Sequence, residues 1–219
     1  VRRLYDRSLQ KAEGEGKGLR IRLRIGTPAL ARLPWELLYD PQARRHLALS
    51  DATPVVRHPE VARAIRPLAV GSLSILAVAA SPSDLPRLDL AEERRRLERS
   101  LADVPGRMRP SLTWREDLPA EELLHVLREG AFNIIHFAGH GDFDEAHGEG
   151  LLAMTGRDGR KELLHAHTLG EVLADHRSLR LVVLNACEGA ASGARDRLSS
   201  IAASLLAMGV PAVLAMQAP

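Results

Sequence analysis

Two short segments of the chain end in side chains suited to acyl transfer. One reads Asn133-Ile134-Ile135-His136-Phe137-Ala138-Gly139-His140-Gly141, the other Leu181-Val182-Val183-Leu184-Asn185-Ala186-Cys187-Glu188-Gly189. A thiolate is the attacking species in cysteine chemistry, and an adjacent imidazole lowers the thiol pKa or accepts its proton. The same imidazole can then protonate a leaving amine. Glycines beside each residue let a substrate backbone come close and leave amide N–H groups free to hold a developing oxyanion. Gly139 and Gly141 flank His140, and Gly189 follows Cys187. A lone cysteine is ordinarily an inert small core residue, so the setting of Cys187 has to carry the case.

Both segments are apolar runs of strand type that would have to lie side by side. Neighbouring strands bring their ends about 5 Å apart, and open α/β sheets gather functional groups beyond the carboxyl ends of their strands. The rest of the chain supplies such a sheet. Leu73–Ala79 is a near-continuous apolar run of the kind covered on both faces. It is followed by a helix over Leu88–Ala102 with Leu90, Leu97 and Leu101 on one side. A strand near Leu112–Trp114 leads to a helix over Pro119–Glu129, opened by its proline. Strand Asn133–Ala138 comes next, then a hairpin pairing Leu151–Met154 with Glu162–Leu164 around Asp158-Gly159. Helix Thr168–Ala174, strand Leu181–Ala186, helix Leu198–Met208 and strand Ala212–Met216 follow. Strands alternating with helices of about a dozen residues predict an α/β fold with a mainly parallel sheet.

The N-terminal part has a different rhythm. Val1–Gln10 reads as the end of a helix, and a charged, glycine-rich link runs from Ala12 to Gly18. Leu19–Ile25 alternates apolar residues with arginine, the period of a half-exposed strand. Leu33–Pro41 reads as a short helix between two prolines, and Leu47–Val56 as a short strand or extended edge. The expected division is residues 1–70 as an N-terminal segment and 71–219 as the core, with the C-terminus cut directly after a strand of buried type.

Composition narrows the function classes. Thirty basic residues against 28 acidic ones give a formal net charge of +2, and the signs alternate along the chain. With aromatic residues at only 3%, nothing interleaves the arginines as a nucleic-acid surface requires. The apolar runs are too short to span a bilayer, the N-terminus lacks a signal core, and one cysteine excludes a disulfide framework. These features lead to the expectation of a cytoplasmic protein with no membrane anchor and no nucleic-acid partner. His136 and His140 stand four apart, which on a helix would suggest a metal pair, but no glutamate lies between them and the segment reads as strand, so no metal is expected. The turn-like Gly139–Phe143 matches neither common nucleotide-binding pattern. Asp142, Asp144, Glu145, Glu149 and Glu188 would make a cleft rim acidic, which favours a basic side chain before a scissile bond. The rival reading leaves each of them simply facing solvent.

The pair H-F-A-G-H-G (His136–Gly141) and L-N-A-C-E-G (Leu184–Gly189) resembles the caspase-like cysteine peptidases, whose signature Q-A-C-[RQG]-G has a histidine about 50 residues upstream. The chain is more closely similar to the CHAT domains, caspase-like modules often fused to TPR repeats in bacteria. L-P-W-E-L-L-Y-D-P (Leu33–Pro41), T-P-V-V-R (Thr53–Arg57) and G-V-P-A-V-L-A-M-Q (Gly209–Gln217) extend the resemblance over nearly the whole chain. It implies a caspase-like three-layer sandwich with His140 as general base and Cys187 as nucleophile. The amides of Gly141 and Cys187 would form the oxyanion hole, and Asn185, Asp142 and Glu188 would line the substrate cleft. Asn185 stands where caspases place glutamine, a departure that weakens any inference of aspartate specificity. The implied activity is endopeptidase cleavage of protein or peptide substrates with no cofactor, under a fused or partner regulatory domain of TPR or other type. The alternative is a non-catalytic caspase-fold interaction or scaffold module.

Overall fold

Alternating apolar runs and amphipathic stretches give the chain its elements. The computed structural model describes residues 2–27, 30, 33–58, 71–106, 108–186 and 194–215. The chain divides into two compact units, Val1–Glu60 and Val61–Pro219.

In the first unit, helix α1 spans Arg2–Gly14, running further than its apolar spacing suggested and taking in part of the expected link. Strands β1 (Ile21–Leu23) and β4 (Val55–Arg57) pair in parallel, and β2 (Tyr39–Asp40) pairs antiparallel with β3 (Arg45–His46). The helix expected over Leu33–Pro41 is a single 3-10 turn, Trp35–Leu37. Prolines at both ends leave too few backbone donors for more, and the following Tyr39-Asp40 goes into β2. Leu47–Leu49 is likewise a 3-10 turn, so the extended stretch begins only at Val55. Asp40 is buried and accepts from Arg2 Nη1 at 2.9 Å and from the Gln42 amide at 2.9 Å. Arg57 holds Glu36 through two parallel hydrogen bonds, Nε to Oε1 at 2.7 Å and Nη2 to Oε2 at 2.9 Å.

The second unit is built on one 7-stranded, mainly parallel sheet. Its strands are β5 (Ser74–Ala79), β6 (Ser111–Glu116), β7 (Ile134–Asp144), β10 (Leu181–Ala186) and β11 (Val213–Ala215), in the spatial order β11-β10-β7-β5-β6. The hairpin of β8 (Glu149–Thr155) and β9 (Lys161–His165) joins through β8, which pairs antiparallel with the far half of β7. From β5 the chain goes first to β6 on one side and then to β7 on the other. The crevice between the ends of β5 and β7 is therefore the topological switch point.

Strand alternation sorts the two faces. Leu76 and Val78 of β5, Ile135 and Phe137 of β7, and Val182 and Leu184 of β10 face one way and are buried. Against them pack Leu123 and Leu127 of α3 (Ala120–Glu129), Leu169 and Leu173 of α4 (Ala166–Ala174), and Ile201 and Leu205 of α5 (Ala194–Ala207). The opposite face carries His136 and Asn185, and helix α2 (Leu90–Ala102) lies over it. Asp89 caps α2 by accepting the Glu92 amide at 2.9 Å. Helices on both faces of the sheet make the three-layer α/β sandwich that the sequence led us to expect, of caspase-like type.

Candidate functional site

β7 is the element that matters most, and it is longer than its apolar run. It was expected to stop at Ala138 and turn. Instead it continues through Gly139-His140-Gly141 to Asp144 as one strand. Its first half pairs in parallel with β10 up to Gly139↔Ala186, and its second half pairs with β8 from His140↔Ala153 onward. The edge bonds that a turn would have left open are thus taken up by β8. His140 is the residue at which the strand changes partners. Because a hairpin, not a helix, follows β7, no helix N-terminus stands beside Gly141 to cradle a phosphate.

The His140 side chain is 7% exposed, and its Nε2 lies 2.8 Å from the carbonyl oxygen of Pro86. A carbonyl only accepts, so Nε2 carries the proton and Nδ1 keeps the lone pair. Pro86 belongs to the loop from Ser81 to Asp89, across the switch-point crevice from β7. That loop is fastened at several points. The Ser81 amide donates to Asp117 Oδ1 at 3.0 Å, and the Leu88 amide to Ser81 Oγ at 3.1 Å. Ser83 donates through its amide and its hydroxyl to the Gly159 carbonyl, each at 2.9 Å. The Lys161 amide donates to Asp84 Oδ1 at 2.7 Å. The β8–β9 turn therefore holds the loop that holds His140.

Gly139 is glycine for packing. A Cβ there would come within 2.5 Å of the buried Phe137 ring. Gly141 is half-buried opposite Leu152 in the hairpin ladder.

Asn185 sits beside Ala138 in the register, on the same face as His136 and His140. Its Nδ2 donates to Glu93 Oε1 at 2.7 Å, and His136 Nε2 meets the same oxygen at 3.0 Å. Cys187 and Glu188 lie outside the described residues, as does Gly189. The last described pair, Ala186↔Gly139, is followed in sequence by Cys187 on one strand and His140 on the other.

Four residues along a strand span about 13 Å, too far for His136 and His140 to chelate one ion. Among the described residues no cluster of histidine, cysteine and carboxylates has the geometry of a metal site. The acidic residues past His140 are mostly paired. Asp142 Oδ2 meets Lys161 Nζ at 3.1 Å, and Asp144 Oδ2 meets His147 Nδ1 at 2.6 Å. Glu149 Oε2 meets His165 Nδ1 at 2.9 Å. The His147 hydrogen bond holds the Asp144 carboxyl below the usual carboxylate range, and the His147 imidazole is raised in turn. Burial pushes the Glu149 carboxyl up, but the His165 imidazole and the His167 amide outweigh it, and the net shift is down.

Two participants escaped the sequence reading. Pro86 contributes a backbone carbonyl, which leaves no trace in residue type. Glu93 did leave one: with Leu90, Leu97 and Leu101 it falls on the apolar stripe of α2 at helical spacing, where a charge needs a partner.

The family model described as CHAT domain matches residues 1–219. The chain belongs to the CHAT domain family. CHAT domains are caspase-like, which agrees with the sandwich described above. No curated protein sequence matches this CHAT domain. Among its described residues no helix is long and apolar enough to cross a membrane.

Proposed function

We propose that this CHAT domain is a cysteine endopeptidase in which His140 and Cys187 act as a dyad. The observation that carries the reading is the His140–Pro86 hydrogen bond at the end of β7. It commits Nε2 to a carbonyl and leaves Nδ1 as the basic nitrogen, next to a strand whose sequence continues into Cys187. His140 Nδ1 accepts the thiol proton, the thiolate attacks the scissile carbonyl, and the imidazolium returns the proton to the leaving amine. Water then attacks the thioester, with Nδ1 again taking a proton, and Cys187 is released as the free thiol. The amides of Gly141 and Cys187 hold the oxyanion in both steps. The Pro86 carbonyl stabilises the imidazolium that forms between them, since a hydrogen bond from a charged donor is stronger than a neutral one. No cofactor takes part.

The substrate is a protein or peptide, and Asn185, Asp142 and Glu188 contribute to its cleft. A fused or partner domain of TPR or other type regulates access. The test is incubation of the full-length protein and its Cys187→Ala form with a proteome-derived peptide pool, with new termini sequenced by mass spectrometry. Cleavages present in the wild type and absent from the variant are the expected result. Cleavages that persist in Cys187→Ala would assign the activity to another group. Intact peptides in both, with the regulatory partner supplied, would favour a caspase-fold scaffold.

A further inference from the structure

The face of the sheet beneath α2 is mostly apolar where β5, β7 and β10 meet. Ile75, Ala77, Ala79, Ile134, Ala138, Leu181 and Val183 share it by strand alternation. Among them stand His136 on β7 and Asn185 on β10, and between these reaches the Glu93 carboxylate from the first turn of α2. The Glu93 side chain is 22% exposed and that of His136 is 12%. Placing a carboxylate here costs solvation that a leucine at the same position would not. Leu90, Leu97 and Leu101 show that the stripe otherwise takes leucine. What the carboxylate adds is direction. One oxygen, Oε1, accepts from two strands at once, at 3.0 Å from His136 and 2.7 Å from Asn185. That fixes the start of α2 over the β7–β10 seam.

The start of α2 is also the end of the loop that contacts His140. Asp89 caps the helix by accepting the Glu92 amide. A few residues earlier, Pro86 presents its carbonyl to His140 Nε2 at 2.8 Å. The path from the seam to the imidazole is therefore short: His136 and Asn185 hold Glu93, Glu93 holds the first turn of α2, and that turn holds Pro86 against His140.

We infer that Glu93 is a positioning residue that sets the tautomer and orientation of His140 by anchoring the start of α2 to His136 and Asn185. The consequence for the thiol rests on the dyad reading above. The consequence for the imidazole does not.

The experiment compares the full-length wild type with Glu93→Leu, which continues the apolar stripe but accepts nothing, and Glu93→Gln, which keeps an acceptor without charge. Thermal unfolding establishes that each is folded, and Glu93→Ala replaces the leucine variant if that one is not. Two quantities are read. Nitrogen-15 chemical shifts give the His140 tautomer, and mass spectrometry of the Cys187 peptide gives its alkylation rate against pH. The wild type is expected to show the Nε2–H tautomer, Glu93→Leu a mixture of both, and Glu93→Gln a return to Nε2–H. Alkylation near neutral pH is expected to slow about tenfold in Glu93→Leu as the thiol drifts toward the ordinary pKa of about 8.5, with most of the rate restored in Glu93→Gln. A Glu93→Leu protein that keeps a pure Nε2–H tautomer overturns the inference, whatever its thiol does. A Glu93→Gln protein as disturbed as Glu93→Leu overturns it too, because charge and not the hydrogen bonds would then be at work. A tautomer that changes as expected with an alkylation rate that does not move upholds the positioning role and sinks the dyad.

Discussion

His140 and Pro86 face each other across the switch point of the sheet, imidazole Nε2 to backbone carbonyl, at 2.8 Å. A carbonyl at that position dictates the neutral tautomer. Proton-detected nitrogen spectra recorded above the imidazole's titration are expected to show His140 as Nε2–H with Nδ1 unprotonated. An Nδ1–H tautomer would remove the lone pair from the nitrogen assigned as base.

The loop carrying Pro86 depends on the β8–β9 turn. Asp84→Ala removes the acceptor of the Lys161 amide, a hydrogen bond worth about 1 kcal/mol net. The expected outcome is a small loss of global stability by chemical denaturation together with faster amide exchange at Leu88, whose own bond to Ser81 lies in the same loop. Unchanged exchange at Leu88 would mean that the loop is rigid without the hairpin.

Gly139 and Phe137 are coupled through space. A methyl group at position 139 would overlap the Phe137 ring at 2.5 Å, and Phe137 is only 2% exposed, with little room to retreat. Gly139→Ala should therefore cost about 1–3 kcal/mol, the range for overpacking a filled core. Shortening the ring in Gly139→Ala/Phe137→Leu should make the double variant more stable than the sum of the two single losses. Strict additivity in denaturant titrations would show that the methyl group is accommodated some other way.

His147 and Asp144 form a pH-sensitive pair at the end of the β7–β8 hairpin. The imidazole is raised chiefly by its hydrogen bond to Asp144, so its contribution is complete below the unfolded value of about 6.5 and fades as pH rises through the folded value. The carboxyl is lowered by the same bond, so its contribution is present above the ordinary carboxylate range and fades as pH falls. The pair is at its strongest between the two titrations. Proton NMR should find His147 titrating above 6.5 and returning to about 6.5 in Asp144→Asn. Because His147 is 74% exposed, high salt should shrink the difference. A His147 that titrates alike in both proteins would mean that the pair does not form in solution.

Much of the fold was legible because it rests on periodicity. The unbroken apolar runs of β5 and β10 and the leucine spacing of α2 each point to one element, and the order of strands and helices points to one fold class. The sequence was less informative where local cues conflict with pairing. Proline at both ends of Leu33–Pro41 suggested a helix that the short span could not complete. The glycines around His140 read as a turn, although β8 supplies a partner that keeps them in a strand. In the site, His140 and Asn185 announced themselves by residue type at strand ends. Pro86 could not, since its contribution is a backbone oxygen, and Glu93 was visible only as a charge on a leucine stripe.

The most direct test of the dyad is the cleavage rate of a peptide substrate by full-length wild type, His140→Ala, Cys187→Ala and the double variant. Groups that act as one unit lose their effect together. The expected result is that each single substitution lowers kcat/KM by at least about 10³-fold, and that the double variant is no slower than Cys187→Ala alone. A His140→Ala enzyme that cleaves at the wild-type rate, or a double variant whose loss is the product of the two single losses, would contradict the assignment of His140 and Cys187 as partners.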